Sequence, residues 1–235
     1  MLTIENLHTS YNGIEVLHGI SMKIARGEKV ALLGANGAGK TTTLASIVGI
    51  AKEKSGVITF DKQDITNIET YNAVRKGIVL IPEGRHVFTR LTVEENILIG
   101  GFLMADRRDR LGEQLERMYT MFPLLKDRRR QMAGTLSGGE QQMLAIARGL
   151  MGSPKLMLLD EPSLGLSPIM VSRVFKIVDE INHSGVSILI VEQNANIALE
   201  FTDRTYVLEL GHMNLSGPSE VLKDNERIKM AYLGM

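Results

Sequence analysis

The chain has 235 residues, enough for one large domain or two small ones, and 44% of them are hydrophobic, enough for a sizeable core. Lys plus Arg and Asp plus Glu are both 27, so the net charge is zero, and the basic excess of a nucleic-acid binder is missing. There is no cysteine, which excludes disulfides and thiolate metal sites and fits a reducing cytosol.

In chain order, Met1 to Glu5 carries neither the basic nor the apolar region of a secretory leader, so none is expected. Leu2, Ile4 and Leu7 are apolar, and Ile20, Met22 and Ile24 alternate with polar residues as a half-buried strand does. Tyr11, in the polar run Thr9 to Gly13, reads by itself as a partly buried surface aromatic. Arg26-Gly27-Glu28 reads as a turn. Lys29 to Leu33 is a short apolar run, expected as a buried strand, and Thr42 to Val48 reads as a helix start.

Between them lies Gly34-Ala35-Asn36-Gly37-Ala38-Gly39-Lys40-Thr41, which fits the phosphate-binding loop pattern. Glycines let the backbone fold back so that several N–H groups face one point, and a helix N-terminus adds its positive dipole end. Lys40 supplies a full charge to the outer phosphates, and Thr41 offers a hydroxyl oxygen to Mg²⁺, which prefers hard oxygen ligands.

Further along, Gly56 to Phe60 and Gly77 to Ile81 read as strands, the second ending at Pro82-Glu83-Gly84. Thr92-Val93-Glu94-Glu95 is a capping box opening a helix. Leu111, Leu115, Met118 and Phe122 have amphipathic-helix spacing. The charge runs Arg107 to Arg110 and Lys126 to Arg130 read as solvated helix faces. Residues from about Phe88 to Leu150 are expected as a helical insertion in an α/β domain. No run approaches the ~18 apolar residues of a membrane-spanning helix.

The insertion closes with Leu136-Ser137-Gly138-Gly139-Glu140-Gln141-Gln142. Ser137 and Glu140 have capping-box spacing, and Met143, Ala147 and Leu150 continue an apolar stripe. Two glycines at a helix start cost stability, roughly 0.5–1 kcal/mol each against alanine. They make sense where bare backbone approaches something closely, and a second anion site with Ser137 as an extra donor is the natural candidate. Leu156 to Leu159 then forms a buried strand ending in Asp160 and Glu161. Neighbouring strand residues point to opposite sides, so the two carboxylates are expected to do different jobs. One suits Mg²⁺, directly or through its water shell, and the other suits orienting a water. Ser187 to Val191 is another buried strand, with Gln193 emerging after it. The five histidines are scattered, with no metal-ligand pairing, and the thirteen methionines read as core and surface filler.

The phosphate loop, the Leu-Ser-Gly-Gly-Glu-Gln helix and the Leu-Leu-Asp-Glu-Pro strand, in this order, resemble the ATP-binding subunit of ABC transporters over nearly the whole chain. The resemblance implies a P-loop NTPase of ABC type: an α/β, RecA-like core with a β-rich N-terminal subdomain and a helical signature subdomain. Residues 1–235 form one domain in this reading, with about 1–87 and 151–235 as core and about 88–150 as the helical part. It implies that Tyr11 stacks on adenine and that Gly34 to Thr41, with Thr42 after them, hold the phosphates of ATP. Ser137, Gly138, Gly139 and Glu140, in the signature Leu136 to Gln141, hold a second nucleotide. Asp160 and Thr41 are the implied Mg²⁺ ligands, Glu161 the catalytic glutamate and Ser163 to Pro168 the D-loop.

Three positions depart from the common ABC pattern. Glu83 stands at the Q-loop glutamine, Gln193 at the switch histidine and Ser167 at the D-loop aspartate. Glu83 is then a candidate for both nucleotide and metal, and Gln193 joins Lys40 and Glu161 as a catalytic candidate. Pro-Glu-Gly-Arg, Glu-Gln-Gln-Met, Pro-Ser-Leu-Gly-Leu and Val-Glu-Gln-Asn-Ala together resemble the ATPases of branched-chain (hydrophobic) amino acid importers more than the urea-type relatives. The resemblance implies a head-to-tail dimer with a second ABC ATPase, identical or related, with each ATP held between two chains. It also implies membrane permease partners, an extracytoplasmic solute-binding protein acting through them, and a place on the cytoplasmic face of the membrane. The alternatives are an importer ATPase for another small solute such as urea or amides, an ABC ATPase of a non-transport complex, against which the neutral charge and single nucleotide domain stand, and a regulatory nucleotide-binding module without catalysis, against which the intact Lys40, Asp160 and Glu161 set stands.

Overall fold

The alternation at Ile20, Met22 and Ile24 has its counterpart at the amino terminus. In the computed structural model, which describes residues 1–104 and 108–230, β1 (Leu2–Tyr11) and β2 (Ile14–Ile24) pair antiparallel. Leu2 faces Ile24 and Tyr11 faces Ile14 across the hairpin. After β3 (Lys29–Leu33) and α1 (Lys40–Ile47), the strands β4 (Glu53–Phe60) and β5 (Gln63–Asp64) return to this sheet, whose order is β2-β1-β4-β5.

The second sheet receives β3. After α2 (Thr70–Arg75) comes β6 (Ile78–Ile81), and then the helical stretch α3 (Val93–Ile99), α4 (Arg108–Met121), α5 (Pro123–Asp127) and α6 (Gly138–Leu150). It leads into β7 (Leu156–Asp160), α7 (Pro168–His183), β8 (Ser187–Glu192), α8 (Ala195–Phe201), β9 (Arg204–Glu209) and β10 (His212–Pro218). The order is β10-β9-β3-β8-β7-β6, parallel except for the β9–β10 hairpin.

Every residue of β7 and β8 is buried, because helices or the other sheet cover both faces. Side chains divide by parity along each strand. Leu156, Leu158, Leu189 and Val191 join the core shared with the antiparallel sheet, while Met157, Leu159, Ile188 and Ile190 join the core shared with α6 and α7. Met143, Ala147 and Leu150 of α6 are buried in that second core, and full burial of a side chain the size of Met or Leu contributes about 1.5–3 kcal/mol.

The helix starts obey local rules. Thr92 caps α3, accepting from the Glu95 amide at 3.2 Å while Glu95 accepts from the Thr92 amide at 2.7 Å. The amide of Ser137 donates to Glu140 Oε2 at 2.7 Å. Arg107 of the first charge run lies outside the described residues. Among the described residues no helix is long and apolar enough to cross a membrane.

The histidines are less scattered than the sequence suggests. Pairing of β1 with β2, and the approach of β10, gather three of them near Glu15. His8 Nδ1 lies 2.6 Å and His18 Nδ1 3.2 Å from its carboxylate, and the rings of His18 and His212 stack with centroids 4.6 Å apart. The His8 hydrogen bond holds the Glu15 carboxyl below the usual carboxylate range. Among the described residues no group of three or more His, Asp or Glu is arranged to hold a metal ion.

Candidate active site

Four parallel strands, β3, β6, β7 and β8, deliver their carboxyl ends to one edge of the sheet, the position where open α/β sheets bind ligands. The loop from Gly34 to Gly39 leaves β3 there. A Cβ on Gly34 would lie 2.5 Å from the carbonyl oxygen of Leu208, so no side chain fits. Gly39, with φ +105°, caps α1 in a conformation closed to other residues. The loop is also tied from outside, since the Gly211 amide donates to the carbonyl of Ala38 at 3.0 Å.

Lys40 is buried, at 5% exposure, yet polar groups meet it. Its Nζ donates to the Ala35 carbonyl at 3.1 Å and pairs with Glu161 Oε1 at 3.1 Å. Thr41 Oγ1 donates to Asp160 Oδ2 at 2.9 Å. The other oxygen, Asp160 Oδ1, is buried without a hydrogen-bond partner. Burial raises the Asp160 carboxyl above the usual carboxylate range, the Thr41 bond opposes this, and the nearby charges of Glu161 and Glu83 add to the rise. An orphaned buried oxygen beside a threonine hydroxyl fits a hard cation. Mg²⁺ keeps most of its shell as water and phosphate oxygens, so Asp160 and Thr41 suffice as protein ligands. When bound, it would neutralise phosphate charge.

Strand alternation does not separate Asp160 from Glu161. Glu161 leaves β7 with φ +46°, its amide donating to the Val191 carbonyl at 2.9 Å, and its carboxylate swings to Lys40. Both carboxylates therefore converge on the phosphate loop, and the left-handed turn is the reason. That turn has an anchor which sequence reasoning missed. Glu192, 2% exposed, accepts from the amide of Ser163 at 3.2 Å, and burial pushes its carboxyl up. A carboxylate directly after the apolar run 188–191 was the available signal.

Lys40, Thr41 and Glu161 open onto a cavity of about 540 Å³, also lined by Val16, Asn36, Gly37, Gly39, Thr42, Glu83, Leu164 and Gln193. Glu83 and Gln193, from the ends of β6 and β8, thus reach the same space as the phosphate loop. Gly34, Ala35, Ala38 and Asp160 do not line it. Tyr11 does not either: it stands at the hairpin end, 42% exposed, and Val16 of β2 faces the cavity instead. Ser137, Gly138, Gly139 and Glu140 lie outside the cavity as well. Intramolecular packing is also tight at Gly139, since a Cβ there would lie 2.4 Å from the end of the Met170 side chain. Arg128 pairs with Glu140 at 3.2 Å.

Comparison with known proteins agrees with this geometry. The profile of the ABC transporter family matches residues 17–164. The high-affinity branched-chain amino acid transport ATP-binding protein BraG of Pseudomonas aeruginosa is 46% identical over 234 residues, covering 100% of both chains. The lipopolysaccharide export system ATP-binding protein LptB of Escherichia coli K12 is 38% identical, with 99% of this chain and 97% of that protein covered. Among solved structures, the ADP conformation of MJ1267, an ATP-binding cassette of an ABC transporter, superposes with a TM-score of 0.85 at 29% identity, covering 100% and 99% of the two chains. The dimeric post-hydrolysis state of the cassette MJ0796, bound to ADP and Pi, gives 0.80 at 26% identity and covers 93% and 99%.

Proposed function

Because the chain belongs to the ABC transporter family and is an ATPase of that family, we propose that it energises uptake of branched-chain or other hydrophobic amino acids through membrane permease partners. The observation that carries the chemistry is the convergence of the Lys40–Glu161 and Thr41–Asp160 pairs at the phosphate loop, with Lys40, Thr41 and Glu161 lining one cavity. In this reading MgATP lies along the phosphate loop. Lys40 and the loop amides bind the phosphates, and Asp160, Thr41 and Glu83 form the metal side. Glu161 orients the attacking water and Gln193 contacts the γ-phosphate.

The signature residues stand outside this cavity, as a site completed by a second chain requires. Ser137, Gly138, Gly139 and Glu140 then serve the nucleotide of a second ABC ATPase, placed head to tail. Residues 88–150 act as the helical subdomain that carries them. The permease has a candidate docking place. A groove of about 440 Å³ runs between Ile50, Leu80, Phe88, Ile99 and Phe102, with Phe88 48% and Phe102 55% exposed. Exposed apolar surface of this kind marks interaction sites. Pro82 lines the groove and Glu83 the cavity, so adjacent residues of one segment touch both. Held by the permease, the chain sits on the cytoplasmic face of the membrane, and a solute-binding protein delivers the amino acid from outside.

The amino-acid assignment rests on the likeness to BraG and on the subfamily motifs around Glu83 and Gln193. Affinity purification from membranes, with identification of the co-purifying chains, tests the permease partners. Uptake of labelled leucine, isoleucine and valine in cells with and without the gene tests the solute. Unchanged amino-acid uptake beside lost urea or amide uptake would overturn the assignment.

A further inference from the structure

Arg85 lines neither the nucleotide cavity nor the apolar groove, although the segment before it touches both. Its backbone has φ +68°, between Gly84 at +80° and His86 at +44°. Non-glycine residues hold such a conformation only where their surroundings over-determine it. Here the His86 amide closes on the Gly84 carbonyl at 2.7 Å, and Arg148 Nη1 donates to the His86 carbonyl at 2.9 Å. The result throws the Arg85 side chain back over the start of α6.

There its guanidinium takes the space beside Gly138. A Cβ at that glycine would lie 2.6 Å from Nη1 and 2.9 Å from Cζ, so the guanidinium rests directly over Gly138. The same guanidinium donates through Nη2 to the carbonyl of Leu164 at 3.4 Å and approaches Gly165. Leu164 lines this chain's own cavity, three residues after Glu161. One planar fork thus lies against the first residue of the signature helix and bonds to the turn that follows Glu161. A lysine, with a single point of charge, cannot cover one and reach the other.

We propose that Arg85 is a positioning residue for the nucleotide bound to the partner ATPase. By resting on the start of the signature helix while bonded to the Leu164–Gly165 turn, it holds in place the helix start that this chain presents to its partner. The proposal rests on the head-to-tail pairing proposed above, the sandwich reading. In that arrangement the signature of this chain completes the partner's site and not its own.

The test uses the permease complex with its two ATPase subunits, whether copies or relatives, and single-turnover hydrolysis of bound ATP. In one complex this chain carries Glu161→Gln, leaving only the partner's nucleotide site active. In the other the partner's catalytic glutamate is replaced, leaving only this chain's site active. Arg85→Ala in this chain should slow the first complex roughly tenfold, the size of one charge-assisted hydrogen bond, and leave the second at the rate of its own reference. Arg85→Lys should slow the first complex as well. Loss in the second complex, equal loss in both, or no loss in the first would overturn the proposal. The sandwich reading is judged separately, by whether the Glu161→Gln chain associates with its ATPase partner when MgATP is added.

Discussion

Replacing Glu161 by glutamine should separate binding from chemistry, and in an unusual direction. Lys40 Nζ and Glu161 Oε1 are 3.1 Å apart, both largely buried, at 5% and 13% side-chain exposure. At an effective dielectric near 20 the gross attraction at this distance is about 5 kcal/mol. Desolvation of both ions takes back most of it, leaving a net worth on the order of 1–2 kcal/mol. A phosphate arriving at the loop competes with this carboxylate for Lys40 and is also repelled by it. The glutamine side chain is isosteric and neutral, so both obstacles disappear. The Glu161→Gln variant should therefore bind MgATP at least as tightly as the parent, by up to roughly tenfold for 1.4 kcal/mol. Hydrolysis should fall by about 10²–10⁴, the span for loss of a positioned base. Titration calorimetry with ATP and Mg²⁺ measures the first quantity and phosphate release the second. Binding weakened more than tenfold would show that Glu161 supports the nucleotide rather than competing for its lysine. Undiminished hydrolysis would remove it from the chemistry altogether.

Glu83→Ala should lower permease-stimulated turnover more than basal turnover, because Glu83 and Pro82 face the cavity and the apolar groove respectively; equal loss in both assays would assign the residue to chemistry alone. Gln193→Ala should slow hydrolysis, whereas Gln193→His should keep part of it and acquire a pH dependence near the imidazole pKa of about 6.5; a pH–rate profile at saturating MgATP checks this, and an alanine variant matching the parent throughout would end the γ-phosphate role. Glu192→Gln should raise the melting temperature at pH 7, since a buried carboxyl with a raised pKa contributes stability at low pH and loses it as pH climbs through its folded-state value. The amide oxygen still accepts from Ser163, so the gain should shrink as pH falls toward the unfolded carboxylate value of about 4; a pH-independent gain would refute the electrostatic cause.

The parts of this molecule legible in the sequence are those that contiguous residues decide. The strand and helix that flank the glycine loop, the Thr92–Glu95 capping box and the apolar runs of β3, β7 and β8 each depend on neighbours a few positions away, and each stands as expected. Motif order carried the reading further, to the family, whereas the hydrogen bond of Thr41 to Asp160 across 119 positions came from the fold. Tertiary structure alone decided the rest, because strand pairing and backbone turns set which distant groups meet. Val16 reaches the cavity only through the β1–β2 hairpin. His8 and His18 meet Glu15, and His212 stacks on His18, only because β1, β2 and β10 come together. Glu161 points at Lys40 through a left-handed turn that strand alternation does not predict, and Glu192 holds the segment after that turn by bonding to Ser163. Spacing along the chain measures neither a φ angle nor a distance between strands, and at these positions those two quantities set the chemistry.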